Sequence, residues 1–217
     1  MQIMTSKKNI SPSQKIKKII KNSPSVLIVG PMLRLHLGEK MPLPTGIPCL
    51  LIDGGQNFYK GKSKTALSLG DNDSSKGRLD ILLPFKKDFS DFAFALKNLP
   101  SNVKILILKG FLGGRKAHEL FNLGEIHHFL ESKKETIAFF DDKIMALSGG
   151  SYEIEFEGPF SLACLTKTQV SLSGDCDYKT KKTLFRPLSS LGLSNFARGK
   201  FKIKTSGPIF ILMRKYA

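Results

Sequence analysis

Two pairs of aspartates carry the clearest chemistry in this sequence. Asp71 and Asp73 are separated by one residue in "GDNDS", directly after the apolar run "ALSL", and Asp88 and Asp91 lie three apart in "KDFSD", where a helical pattern begins. An extended segment would put the first two carboxylates on one side, and a helix start would put the second two on one face. Each pair alone has an ordinary structural explanation: an Asx-turn for Asp71 and Asp73, capping and a favourable helix-dipole interaction for Asp88 and Asp91. If the pairs meet, four carboxylates repel, raise one another's pKa, and are comfortable ionised only around a cation. Hard oxygen donors of this kind suit Mg²⁺, which takes a few carboxylates and completes its shell with water and phosphate oxygens.

The phosphate side has candidates as well. "GFLGGRKAH" supplies Gly110, Gly113 and Gly114 between a strand and a helix, so that backbone N–H groups and a helix N-terminus can face an anion, with Arg115 as a planar donor fork. "DGGQN", residues 53 to 57, offers a second glycine turn; neither segment is a Walker or Rossmann fingerprint. Lys and Arg number 34 against 18 Asp and Glu in 217 residues, a formal charge of +16 that draws anions such as nucleotides, nucleic acid or an acidic membrane surface. An acidic cluster inside so basic a chain points to a metal-nucleotide, with carboxylates on the metal and cations on the phosphates. The basic string Lys179, Lys181, Lys182 and Arg186 reads as a solvated loop rather than a nucleic-acid track, since 4 tyrosines and no tryptophan leave few stacking platforms. His118 has two readings, nucleotide contact or local helix residue, while His127 and His128 read as structural or surface groups.

These residues need elements to position them. The runs "SVLIVG", "PCLLID", "ALSLGD" and "KILILKG" read as buried strands, each ending in Gly or Asp. "FSDFAFALKNL" puts Phe89, Phe92, Ala93, Leu96 and Leu99 on one helical face, and "RKAHELFNLGEIHHFLES" reads as a longer helix. In "ISPSQKIKKIIKN", Ser11 is the expected N-cap and Pro12 the first helical residue, with Ile16, Ile19 and Ile20 facing the domain and lysines facing solvent. Strands alternating with helices imply an α/β class domain with a mainly parallel sheet, whose ligands bind beyond the carboxyl ends of the strands. From about Glu135 the pattern changes to short alternating runs ("TIAFF", "KIMAL", "SYEIEFEG", "FSLACL", "QVSLSG", "KFKIKTSG", "PIFILMRKY"), which predicts an all-β sandwich or small barrel. The expected division is 1–134, α/β and nucleotide-binding, and 135–217, β-sandwich.

In order along the chain, Asp53-Gly54-Gly55, "GDNDS" (Gly70 to Ser74), "KDFSD" (Lys87 to Asp91), "GGRKAH" (Gly113 to His118) and "LSNFARG" (Leu193 to Gly199) resemble the thiamine pyrophosphokinase family across nearly the whole chain. The resemblance implies an α/β nucleotide-binding domain followed by a β-sandwich, in a homodimer that holds thiamine between subunits. It implies transfer of pyrophosphate from ATP to the thiamine hydroxyl, with Mg²⁺ as cofactor. Carried over by motif, Asp71, Asp73, Asp88 and Asp91 are the metal and catalytic carboxylates. Gly54, Gly55, Asn57, Gly114, Arg115 and His118 lie around ATP, and Ser194 and Asn195 lie near thiamine. The chain departs from the family at Ala117, where Asp is usual, at Ser90, where Thr is common, and at Arg186, where an aromatic is expected.

Two other readings stand beside this one: the same chemistry on a different alcohol, and a non-catalytic homologue that binds nucleotide or nucleic acid. Cys49, Cys164 and Cys176 are too widely spaced for a zinc site and read as reduced thiols. No apolar stretch reaches the roughly 20 residues needed to span a bilayer, so no membrane association and a cytoplasmic location are expected.

Overall fold

The computed structural model describes residues 10–33, 40–61, 63–141 and 143–214. The first part of the chain runs α1 (Pro12–Ile20), β1 (Ser25–Val29), β2 (Met41–Pro42), β3 (Cys49–Ile52), β4 (Tyr59–Lys60), β5 (Ala66–Gly70), β6 (Ile81–Leu82), α2 (Asp91–Lys97), β7 (Ile105–Lys109) and α3 (Lys116–Glu131). It continues as β8 (Ile137–Phe140), β9 (Ile144–Leu147), β10 (Gly150–Ala163), β11 (Thr168–Cys176), β12 (Thr180–Phe185), β13 (Asn195–Thr205) and β14 (Ile209–Met213). The end of the run "PIFILMRKY" lies outside the described residues.

The four apolar runs read as strands form a parallel sheet in which β1 is central, with β3, β5 and β6 on one side and β7 and β8 on the other. They are apolar throughout because both faces are covered. One face packs Val26, Ile28, Leu50, Leu69, Leu106 and Leu108 against Ile16 and Ile20 of α1, Phe92 and Leu96 of α2, and Ile126 and Leu130 of α3. The other packs Leu27, Val29, Cys49 and Leu51 under Leu33, Leu43, Ile47 and Tyr59 from the connecting segments. Each large aliphatic side chain fully buried this way contributes about 1.5–3 kcal/mol. The helix starts follow local rules. Ser11 and Gln14 form a reciprocal capping box with Pro12 in the first turn, and the Ser90 side chain accepts from the Ala93 N–H to cap α2.

The chain leaves β1 toward β3, β5 and β6, then crosses back to β7 on the opposite side. The strand order therefore reverses beside β1, and the crevice at the carboxyl ends of β1, β3, β5 and β7 is where an open sheet of this kind takes a ligand.

Beyond β8 the pairing turns antiparallel but does not stop. A single 12-stranded sheet runs β12-β11-β13-β10-β14-β9-β8-β7-β1-β3-β5-β6. The sheet crosses position 134/135 without a break, and it is the apolar interior that divides. Ala138, Phe140, Ala146 and Phe210 join the helix-covered cluster, and a second cluster around Leu147, Phe160, Val170, Phe201 and Ile211 is built from strands alone. "SYEIEFEG" and "FSLACL" form one strand, β10, which pairs with β13 along its first part and with β14 at its end. Of the basic string expected as a loop, Lys181 and Lys182 lie in the strand β12, paired antiparallel with β11, while Lys179 and Arg186 flank it. It is an edge strand, where solvated lysines are the rule because they discourage pairing with another chain.

Candidate active site

Asp53 closes β3 and opens a short 3-10 turn, Asp53–Phe58, with a positive φ of 45°. That backbone turns its carboxylate sideways over the end of β5. A Cβ built on Gly70 would lie 1.7 Å from Asp53 Oδ1, so the absent side chain of Gly70 is the space that the carboxylate fills. Asp71 and Asp73 follow at once. The Asp73 N–H donates to Asp71 Oδ1 at 3.2 Å, an Asx-turn that includes Asn72 at φ 71°. The loop is latched to the 3-10 turn: Gly54 N–H donates to Ser74 Oγ (3.1 Å), Gln56 Nε2 to the Gly77 carbonyl (2.9 Å) and Asn57 Nδ2 to the Ser74 carbonyl (3.0 Å).

The result is a carboxylate cluster. One donor atom each from Asp53, Asp71 and Asp73 lies within 4.8 Å of the others. Asp91, the first residue of α2, is buried against them, and Lys87 Nζ sits 2.7 Å from Asp71 Oδ2 and 3.1 Å from Asp91 Oδ1. The second contact is an ion pair without hydrogen-bond alignment, so Asp91 Oδ1 and Asp53 Oδ1 are both buried with no hydrogen-bond donor. Burial pushes the Asp53 carboxyl up to about 8, assisted by the close approach of Asp91 and by repulsion from Asp91, Asp71 and Asp73. Asp71 is held below the usual carboxylate value by its hydrogen bond from Lys87. Burial pulls the Lys87 ammonium down, but Asp71 and Asp91 together outweigh it and hold the group above the ordinary lysine value.

These groups line a cleft of about 310 Å³ together with Pro31, Met32, Phe89, Phe92, Gly110, Phe111 and His118. Of the residues singled out on the sequence, Asp71, Asp73, Asp91 and His118 thus share one cavity. Asp88 is exposed and is not among the lining residues, and Ser90, not Asp88, caps α2. Gly54 and Gly55 are packed in the turn; a Cβ on Gly55 would lie 2.3 Å from the Val29 carbonyl oxygen. Asn57 has both amide atoms engaged, because its Oδ1 also accepts from the Lys76 N–H at 2.9 Å.

The glycine loop before α3 requires a correction. Its N–H groups were expected to face a phosphate, but Asp141 fills that place: Gly110 N–H donates to its Oδ1 at 2.7 Å, and Phe111 and Leu112 donate to its Oδ2 at 3.3 and 3.1 Å. Gly113 N–H donates to Glu119 Oε1 at 2.6 Å. Gly114 and Arg115 lie exposed at the start of α3, where Arg115 holds the N-cap position without a capping side chain, and Ala117 is exposed in the first turn.

Ser194 and Asn195 lie elsewhere. Asn195 is buried; its Oδ1 accepts from the Tyr178 and Phe196 N–H groups, and its Nδ2 donates to the Tyr178 carbonyl. Ser194, at φ 61°, donates its N–H to Ser161 Oγ. Asn195 borders a second cavity, with Leu162, Leu172, Tyr178, Phe185, Leu191 and Leu193, which shares no lining residue with the acidic cleft.

Sequence reasoning missed Asp53, Lys87 and Asp141 as functional side chains. Asp53 and Lys87 stood inside quoted motifs, and a charged residue ending an apolar strand was the available signal for Asp53. Nothing local marks Asp141, whose partners are about thirty residues away.

A carboxylate cluster at the reversal point of a parallel sheet, beside a helix N-terminus, defines an α/β protein with an acidic cleft at the edge where such sheets take their ligands. More particularly, the chain has the thiamine pyrophosphokinase fold. It superposes on the thiamine pyrophosphokinase from Bacillus subtilis with a TM-score of 0.63 at 17% identity, covering 89% of this chain and 100% of that one. The enzyme from Candida albicans gives 0.64 at 13% identity, with 91% of each chain covered. That from Geobacillus thermodenitrificans gives 0.61 at 17%, covering 89% and 99%. No protein-family model and no curated protein matches the sequence.

Proposed function

We propose that this chain belongs to the thiamine pyrophosphokinase family and transfers pyrophosphate from ATP to the hydroxyl of thiamine, giving thiamine diphosphate and AMP. The observation that carries this reading is the meeting of Asp53, Asp71, Asp73 and Asp91 with Lys87 in one cleft of a fold shared with solved thiamine pyrophosphokinases. The donor set fits Mg²⁺: all oxygen, closely spaced, and including buried carboxylate oxygens without a hydrogen-bond donor. Asp53, Asp71 and Asp73 would hold it, and when bound it supplies charge neutralisation on the phosphate oxygens.

The chain's own residues supply the remainder. Asp91, buried at the start of α2, would accept the proton of the attacking hydroxyl, whereas any role of Asp88 would be indirect, because it is exposed and does not line the cleft. Gly54, Gly55 and Asn57 fix the turn that aims Asp53. The open end of α3, with Gly114, Arg115 and His118, receives the phosphates of ATP, where helix N–H groups and a guanidinium favour negative charge. Catalysis of this kind is positioning and charge stabilisation more than covalent chemistry. Ser194 and Asn195 reach thiamine from the second subunit of a homodimer, in which the β half of one chain faces the cleft of the other; this arrangement accounts for two separate cavities in a single chain. The finer division into a nucleotide-binding α/β domain and a β-sandwich belongs to the same reading.

The test is AMP release from ATP and Mg²⁺ by the purified protein, with and without thiamine, alongside detection of thiamine diphosphate. Thiamine-dependent AMP with matching product is the expected outcome and shows that Ala117 is tolerated. Absence of AMP where ATP demonstrably binds would replace this reading with a different alcohol acceptor or a binding protein, and a panel of alcohols separates those two.

A further inference from the structure

The carboxylates of the cleft are not equivalent, because an ammonium is already built in among them. The Lys87 side chain is 8% exposed, and it joins Asp71 of the loop after β5 to Asp91 at the start of α2. Lys87 lies in the loop that leads into α2, and its two carboxylate contacts hold the ammonium between Asp71 and Asp91. Asp53, Asp71 and Asp73 form the only trio of metal-suited groups among the described residues, and Asp91 is outside it. Asp91 is 8% exposed and its Oδ1 faces the cluster without a hydrogen-bond donor, so the site is aimed at a cation and is more than a chance acidic patch. A divalent ion bridging Asp71 Oδ2 and Asp91 Oδ1 would need the position that the ammonium holds. Two cations at contact distance repel.

We propose that Lys87 stands in for one of the two divalent ions that these carboxylates could otherwise hold, so that the cleft binds a single metal ion at Asp53, Asp71 and Asp73 and Asp91 is kept off the metal. This rests on the metal-dependent reading above and makes it specific. The protein supplies one fixed positive charge and recruits the other, and Asp91 keeps its oxygen for proton transfer.

The experiment is a titration of metal-free protein with Mn²⁺, counting unbound ion by electron paramagnetic resonance, with Mg²⁺ as competitor. Wild type, Lys87→Arg and Asp91→Asn are each expected to bind one Mn²⁺ per chain, and Lys87→Met two. Two ions in the wild type, or loss of the ion in Asp91→Asn, overturns the proposal without needing any Lys87 variant to fold. One ion of unchanged affinity in a folded Lys87→Met also overturns it, while the metal reading survives. No Mn²⁺ bound by the wild type removes the metal centre itself and this inference with it.

Discussion

Asp53 is crowded by three other carboxylates, and the fold tolerates this because the proton it retains lowers the charge. Its native pKa lies above the ordinary 3.8, near about 8. Between those values the folded chain binds more protons than the unfolded one, so this group's contribution to stability is present below 3.8 and is lost as pH rises through about 8. His127, whose burial lowers its pKa, gives the opposite slope below 6.5, so wild type alone is ambiguous. In metal-free protein the Tm of wild type is expected to fall relative to that of Asp53→Asn as pH rises across this window, and saturating Mg²⁺ should abolish the difference. A parallel course of the two curves would show that Asp53 is not strained. Asp73 is exposed and latched only through its backbone. Asp73→Asn should therefore abolish AMP release with an unchanged circular dichroism spectrum, and retained activity would remove it from the metal site. Asp71, Asp73 and Asp91 could be picked from the sequence because their spacing repeats a local geometry. Asp53 and Lys87 could not, since what makes them functional is a missing Cβ on another strand and burial between two elements.

Among the elements, β5 ends in the glycine that the site depends on. In Gly70→Ala the methyl group and the Asp53 carboxylate would contend for one position, so Mg²⁺ affinity is expected to fall by an order of magnitude or more while the parallel strands stay paired. Calorimetric titration with Mg²⁺ reads this directly. α2 is only seven residues long and carries Asp91 at its first position, so its cap matters more than in a long helix. Ser90→Ala should cost about 0.5–2 kcal/mol in urea unfolding and weaken activity, whereas Ser90→Thr, which keeps the hydroxyl, should cost little. The helices and central strands were legible because hydrophobic period, Pro12, Ser11 and terminal glycines are local signals. β12 was not, because its lysines read as a loop and only pairing with β11 makes it a strand. The union of "SYEIEFEG" with "FSLACL" was hidden for a related reason: Gly158 and Pro159 look like a turn in sequence but lie within β10, opposite Ala197 and Phe196 of β13.

At the scale of the whole molecule, the acidic cleft and the Asn195 cavity share no lining residue within one chain, and the proposed function would bring them together across a homodimer. Two inactive variants, Asp73→Asn and Asn195→Ala, should then complement each other. After mixing and subunit exchange, about a quarter of wild-type activity is expected, because half the dimers are mixed and each mixed dimer has one intact site. No recovery, with exchange shown by mass-tagged subunits, would place both residue sets in one chain's site or take Asn195 out of it. The change of residue pattern near Glu135 does not coincide with a change of packing, since Ala138, Phe140 and Ala146 still join the helix-covered cluster, and it gave no sign of the continuous hydrogen-bond ladder, since strand partners are chosen by tertiary contact. That ladder passes from β7 through β8 and β9 to β14 without a gap. Paired strands flank every step of the crossing, so among the described residues the sheet itself offers no unpaired hinge between the two halves. If the proposed reaction holds, admission of substrate and release of product fall to the loops at the carboxyl edge, the 71–77 loop foremost, and the slow motions of turnover are expected there and not between halves.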